Sequence, residues 1–101
     1  MKFLTFVMYD VAKAADMAAV ADKMANIPGT KLLTQYVCQA LAFPNQPLNT
    51  LVAVGVREAD SNEAISASIY PLAVAGATVW CVPVQEVAVG AGAETEKKYR
   101  A

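Results

Sequence analysis

Taken two residues at a time, the run from Lys2 to Tyr9 is apolar on both parities, with Phe3, Thr5, Val7 and Tyr9 on one and Leu4, Phe6 and Met8 on the other. Successive side chains of a strand point to opposite faces, so this period predicts a strand with apolar groups on both sides. From Val11 to about Asn26 the period changes. Met17, Val20, Ala21 and Met24 fall at helical spacing, with Lys13, Asp16 and Lys23 elsewhere on the cylinder. Asp10 stands before this helix as an N-cap, and Pro28-Gly29 ends it in a turn.

Lys31 to Phe43 predicts a second strand, long enough to require a bend or bulge. Leu33, Val37, Leu41 and Phe43 share one parity; Leu32, Tyr36, Cys38, Ala40 and Ala42 share the other. Pro44 to Asn49 is a loop, and Thr50 to Arg57 returns as a third strand, antiparallel to the second. Gly55 within it marks a bulge or a close neighbour. Asp60 and Glu63 form a capping-box pattern before a second helix whose apolar face is Ala64, Ile65, Ile69 and Leu72. Pro71 should kink that helix or close it early. The last strand, Thr78 to Val84, sets Trp80, Val82 and Val84 against Val79, Cys81 and Pro83. Proline cannot donate to a ladder, so the stretch around Pro83 belongs at an edge or a break. The apolar parity resumes at Val87 and Val89, a candidate further strand segment. Residues 1–89 then form one domain, and residues 90–101 a flexible, charged C-terminal tail or short helix.

Strand, helix, strand, strand, helix, strand is the split β-α-β order of an α+β, ferredoxin-like fold: an antiparallel sheet with both helices on one face. The helices cover only that face. Leu4, Phe6 and Trp80 belong to strands whose other face is also apolar, so a second subunit is expected to cover it.

Composition strengthens this expectation. Of 101 residues, 56% are hydrophobic and only 17% charged, a large apolar share for so small a chain. A membrane is the other sink for apolar residues. The longest candidate, Ala64 to Val84, is broken by Ser66, Ser68, Pro71, Gly76 and Pro83, and no signal-peptide pattern opens the chain. A cytoplasmic homodimer or higher homo-oligomer is therefore expected, with no membrane partner. The net charge of −1 and the absence of a basic run before Lys97 argue against a nucleic-acid partner. Cys38 and Cys81 are expected as free thiols in a reducing compartment, buried rather than redox-active. The count of histidines is 0, which removes histidine-based triads and the usual zinc and haem ligands. No metal spacing, glycine-rich phosphate loop or paired-carboxylate motif occurs, so no metal or cofactor is expected.

Met1-Lys2-Phe3-Leu4, Gly29-Thr30-Lys31-Leu32-Leu33 and Val79-Trp80-Cys81-Val82-Pro83-Val84 resemble the dimeric α+β barrel superfamily, and within it small uncharacterised DUF3303-like families. The resemblance covers residues 1 to about 89 and implies two ferredoxin-like sheets closing face to face. It implies a ligand pocket between sheet and helices, or inside the barrel. The superfamily includes cofactor-independent monooxygenases, haem-degrading enzymes, muconolactone isomerases and ligand-sensing domains. The lack of histidine sets this chain apart from its histidine-dependent members.

The candidate site residues follow from chemistry and place. Tyr9 and Asp10 stand where the first strand meets the first helix; the tyrosine could hydrogen-bond a ligand carbonyl, and Asp10 is either a base or simply the helix cap. Gln35, Tyr36 and Arg57 lie on adjacent strands. Arg57 either anchors a carboxylate or enolate oxygen or makes a strand-end salt bridge with Glu58 or Asp60. Trp80 is a pocket wall or interface filler, and Tyr70 a residue of the pocket mouth. Two functions fit: a cofactor-free enzyme or binder of a small hydrophobic, carbonyl-bearing ligand in each subunit, and a non-catalytic oligomerisation domain. Tyr9, Asp10 and Arg57 are the catalytic candidates; Gln35, Tyr36, Tyr70 and Trp80 are the ligand-binding ones.

Overall fold

A computed structural model describes residues 1–38 and 43–100. In chain order the elements are β1 (Lys2–Asp10), a 3-10 turn (Val11–Lys13), α1 (Ala14–Met24), β2 (Thr30–Val37), β3 (Thr50–Ala59), α2 (Asn62–Val74), β4 (Thr78–Val84) and α3 (Gly92–Arg100). The strands form one sheet in the order β2-β3-β1-β4, with every neighbouring pair antiparallel. This is the ferredoxin-like α+β arrangement. No helix among the described residues is long and apolar enough to cross a membrane.

Local chemistry sets the element boundaries. Asp10 Oδ1 accepts from the Ala12 amide at 2.8 Å and starts the 3-10 turn that leads into α1. The turn into β2 relies on Gly29, whose φ of 84° is open to glycine at little cost. A Cβ there would also sit 3.0 Å from the Ala64 Cβ, so the glycine lets this turn touch α2. The cap of α2 is Ser61, one residue later than the sequence pattern suggests: its Oγ accepts from the Ala64 amide at 3.1 Å. Pro71 neither stops α2 nor falls at its end. The helix runs past it to Val74, close enough to the C-terminus that few further bonds depend on the lost amide.

Strand registers define two faces. On the helix side, Arg57, Phe3 and Pro83 stand in one cross-strand row, and Gly55, Thr5 and Cys81 in the next. Phe3 packs with Ala59 and Ile65 in a small core, with Cys81 against it, and Met17 of α1 is almost fully buried. On the other side, Val54, Phe6 and Trp80 share a row, flanked by Val56, Leu4 and Val82. That face has no helix. Trp80 is 62% exposed and Val82 43%.

β2 contains the bulge its length requires. Leu32 opposes Arg57, but the next paired residue, Thr34, opposes Val56, so one residue is extra at Leu33. The bulge resets the parity. Leu32, Gln35 and Val37 oppose helix-side residues of β3, where simple alternation would have set Leu32 against Val37. The continuation of this strand through residues 39–42 lies outside the described residues. Residues 85–88 carry the Val87 parity but form no strand. α3 buries no side chain and is tied back by the Gln85 Nε2 donation to the Tyr99 hydroxyl at 2.7 Å.

Candidate functional site

Small residues open a cavity between sheet and helices. On the sheet these are Thr5, Ala53 and Gly55; on α1 they are Ala18 and Ala21. Where larger side chains would have filled the space, a volume of about 360 Å³ remains, within the range of small-ligand pockets. Met17, Ile69 and Leu72 close it from the helices. Its floor follows β1 through Thr5, Val7 and Tyr9, a run of about 13 Å at the strand rise. Gln35, Tyr36 and Val37 of the edge strand and Asp22 of α1 complete the lining.

Arg57 holds the polar end. It is only 5% exposed, although it carries a full charge. Nη1 donates to the Met24 carbonyl oxygen at 2.8 Å and to Thr30 Oγ1 at 3.5 Å. Nε is buried with no hydrogen-bond partner. Among the described residues no ion pair includes Arg57, so neither Glu58 nor Asp60 serves it as a salt-bridge partner. Burial pushes the guanidinium below its ordinary value, with the nearby Cys81 sulfur acting weakly the other way. The same neighbourhood raises the Cys81 thiol through burial, and Arg57 offsets part of that rise. Cys38 and Cys81 are both unpaired.

Of the seven residues proposed from the sequence, the cavity brings together Tyr9, Gln35 and Arg57; Tyr36 borders it on the edge strand but opposes Val54 of the open face and is 67% exposed. Gln35 opposes Gly55, one row along from Arg57 and on the same side of the sheet. Asp10 is exposed and occupied as the cap, and it does not line the cavity. Tyr70 points to solvent from α2, 68% exposed, and also lies outside the lining. Trp80 is on the opposite face. It lines a smaller hollow of about 230 Å³ with Phe6, Met8 and the loop Phe43–Gln46. Tyr9 and Trp80 therefore do not share a site. Thr5 and Asp22 line the main cavity without a sequence signal strong enough to single them out. Gly55 was the one available hint, because a strand glycine announces a close approach.

No protein-family model matches the chain. No curated protein matches it either. Among solved structures, the chain is similar to a DUF3240 family protein from Shewanella baltica, at 12% identity over 86% of this chain and 93% of that one, with a TM-score of 0.50. It is also similar to SnoaB, a cofactor-independent oxygenase from Streptomyces nogalater, at 16% identity over 86% of this chain and 97% of that one, with a TM-score of 0.47. At such identities the likeness is one of fold. The family named by the first match is DUF3240, where the sequence suggested DUF3303-like proteins.

Proposed function

We propose that the protein binds a small, hydrophobic ligand bearing a carbonyl or anionic oxygen in the cavity of each subunit, as a cofactor-free enzyme or a binder. The observation that carries this reading is Arg57: a buried guanidinium with an unpartnered Nε and no ion pair among the described residues. A charge removed from water without a counterion is costly, and proteins normally pair it. Here a ligand oxygen is the natural partner. A carboxylate would accept from the guanidinium edge that Nη1 leaves open, and an enolate formed during a reaction would be stabilised in the same place. Gln35 adds an amide and Tyr9 a phenol along the floor, while Met17, Ile69 and Leu72 supply apolar walls. Such a site needs no cofactor to hold its ligand.

The working unit in this reading is a homodimer or higher homo-oligomer, joined through the open sheet face. Trp80, Val82 and Val84 are exposed there in one line, and a second copy offers the same surface. The cytoplasm is the proposed setting, in keeping with two unpaired cysteines. An assembly domain without a ligand is the second reading, favoured by that same open face.

A thermal-shift screen of aromatic and aliphatic monocarboxylates and ketones, run on wild type and Arg57→Gln, tests the choice. Glutamine removes the charge and keeps the aliphatic stem, with an amide nitrogen at about the position of Nε. A desolvated charge pair is worth about 2–5 kcal/mol on truncation, so affinity for an acid should fall more than tenfold. A ligand that stabilises both proteins equally would take Arg57 out of the site. A screen without a ligand would favour the assembly reading.

A further inference from the structure

Two residues of opposite charge line the cavity: Arg57, which is buried, and Asp22, which stands exposed on α1. Their positions differ in depth. Arg57 sits against the end of α1, held by the Met24 carbonyl and buried, whereas Asp22, two residues earlier on the same helix, lines the cavity from an exposed position. Asp22 has no ion-pair partner among the described residues, so its field acts on whatever occupies the opening. Lys23, its cationic neighbour in sequence, is not among the lining residues, and no lysine is.

From this polarity we infer that Asp22 determines ligand charge, so that the cavity takes monoanions whose outer end is neutral or carries a hydrogen-bond donor, and rejects dianions. The inference rests on the proposed anion site at Arg57. A ligand whose oxygen is held by Arg57 extends its other end towards the opening. A hydroxyl or amine there can donate to the Asp22 carboxylate or to the Gln35 side-chain oxygen. A second carboxylate there meets like charge. For like charges about 4 Å apart in water this repulsion weakens binding by about fivefold. Hydroxylated apolar monocarboxylic acids are thus the substrate class that suits both ends, and dicarboxylates the class excluded.

Three fluorescent probes separate the outcomes: 2-naphthoate, 6-hydroxy-2-naphthoate and naphthalene-2,6-dicarboxylate, titrated into wild type, Asp22→Asn, Asp22→Lys and Arg57→Gln. Asp22 is exposed on a helix, so its variants should fold. Wild type should prefer either monoanion over the dicarboxylate by about five- to tenfold. Asp22→Asn should erase that preference and Asp22→Lys should reverse it. An unchanged ratio in both Asp22 variants would overturn the role of Asp22 while leaving the anion site standing. Failure of all three probes to bind wild type, or binding indifferent to Arg57→Gln, would overturn the anion site and this inference with it.

Discussion

Arg57 of β3 donates through Nη1 to the carbonyl oxygen of Met24, the last residue of α1, at 2.8 Å. The last carbonyls of a helix lack partners within it and carry the negative end of its dipole, so a buried cation there is held by structure as well as charge. This bond gives Arg57 a role in the fold that a strand-end salt bridge would not. Arg57→Ala should therefore lower stability by about 1.5–3 kcal/mol, the range for a hydrogen bond to a charged group. Arg57→Gln should lose less. Urea midpoints of the three proteins check this, and an alanine variant as stable as wild type would show that the Met24 bond contributes nothing.

Trp80 governs the proposed oligomer. It lies in the middle of β4, beside Phe6 on the open face, and 62% of it is exposed. Buried aromatic residues near the centre of an interface commonly dominate its energy. If the proposed dimer forms through this face, Trp80→Glu should leave a folded monomer, read by sedimentation equilibrium at micromolar concentration. A wild-type species of 10.7 kDa under those conditions would refute the dimer.

Gly55 keeps the cavity open. A Cβ at this position would lie 3.0 Å from Leu32 Cδ1 and 3.1 Å from Thr5 Oγ1, both of them side-chain atoms. The Leu32 methyl can swing aside, so Gly55→Ala should cost about 1 kcal/mol, the low end for overpacking. The displaced Leu32 is itself a lining residue and should intrude on the cavity. Affinity for a naphthoate should then fall by more than the stability loss alone would suggest. Calorimetric titration that finds affinity unchanged would mean the ligand does not use this floor.

Cys81 sets an alkaline limit. Its thiol is raised by burial, so the unfolded chain loses this proton at a lower pH than the folded one. The corresponding stability is fully present below the unfolded value, about 8.5, and is lost as pH rises through the folded value. In a Cys38→Ser background, Cys81→Ala should flatten part of the stability decline above about pH 8.5. Arg57 opposes the rise, so the onset of thiolate absorbance should move to higher pH in Arg57→Gln. An onset that stays put would mean that Arg57 and Cys81 do not sense each other.

The order of elements was determined by the sequence alone, because alternation and helical spacing are local patterns. Phe3 to Tyr9 and Met17 to Met24 carry them without ambiguity, and Asp10 marks the change between them. The apolar groups on both parities of β1 and β4 likewise announced a sheet with two apolar faces. Tertiary structure alone decided which face each side chain joined. The bulge at Leu33 is one residue, yet it reverses the parity of everything after it, bringing Gln35 and Val37 to the helix side. Trp80 and Cys81 are adjacent in sequence and fall on opposite sides of the sheet, so the tryptophan never meets Tyr9. The partner of Arg57 was hidden for a related reason. A main-chain carbonyl such as that of Met24 has no sequence signature, and whether a nearby carboxylate reaches a cation depends on packing among residues far apart in the chain.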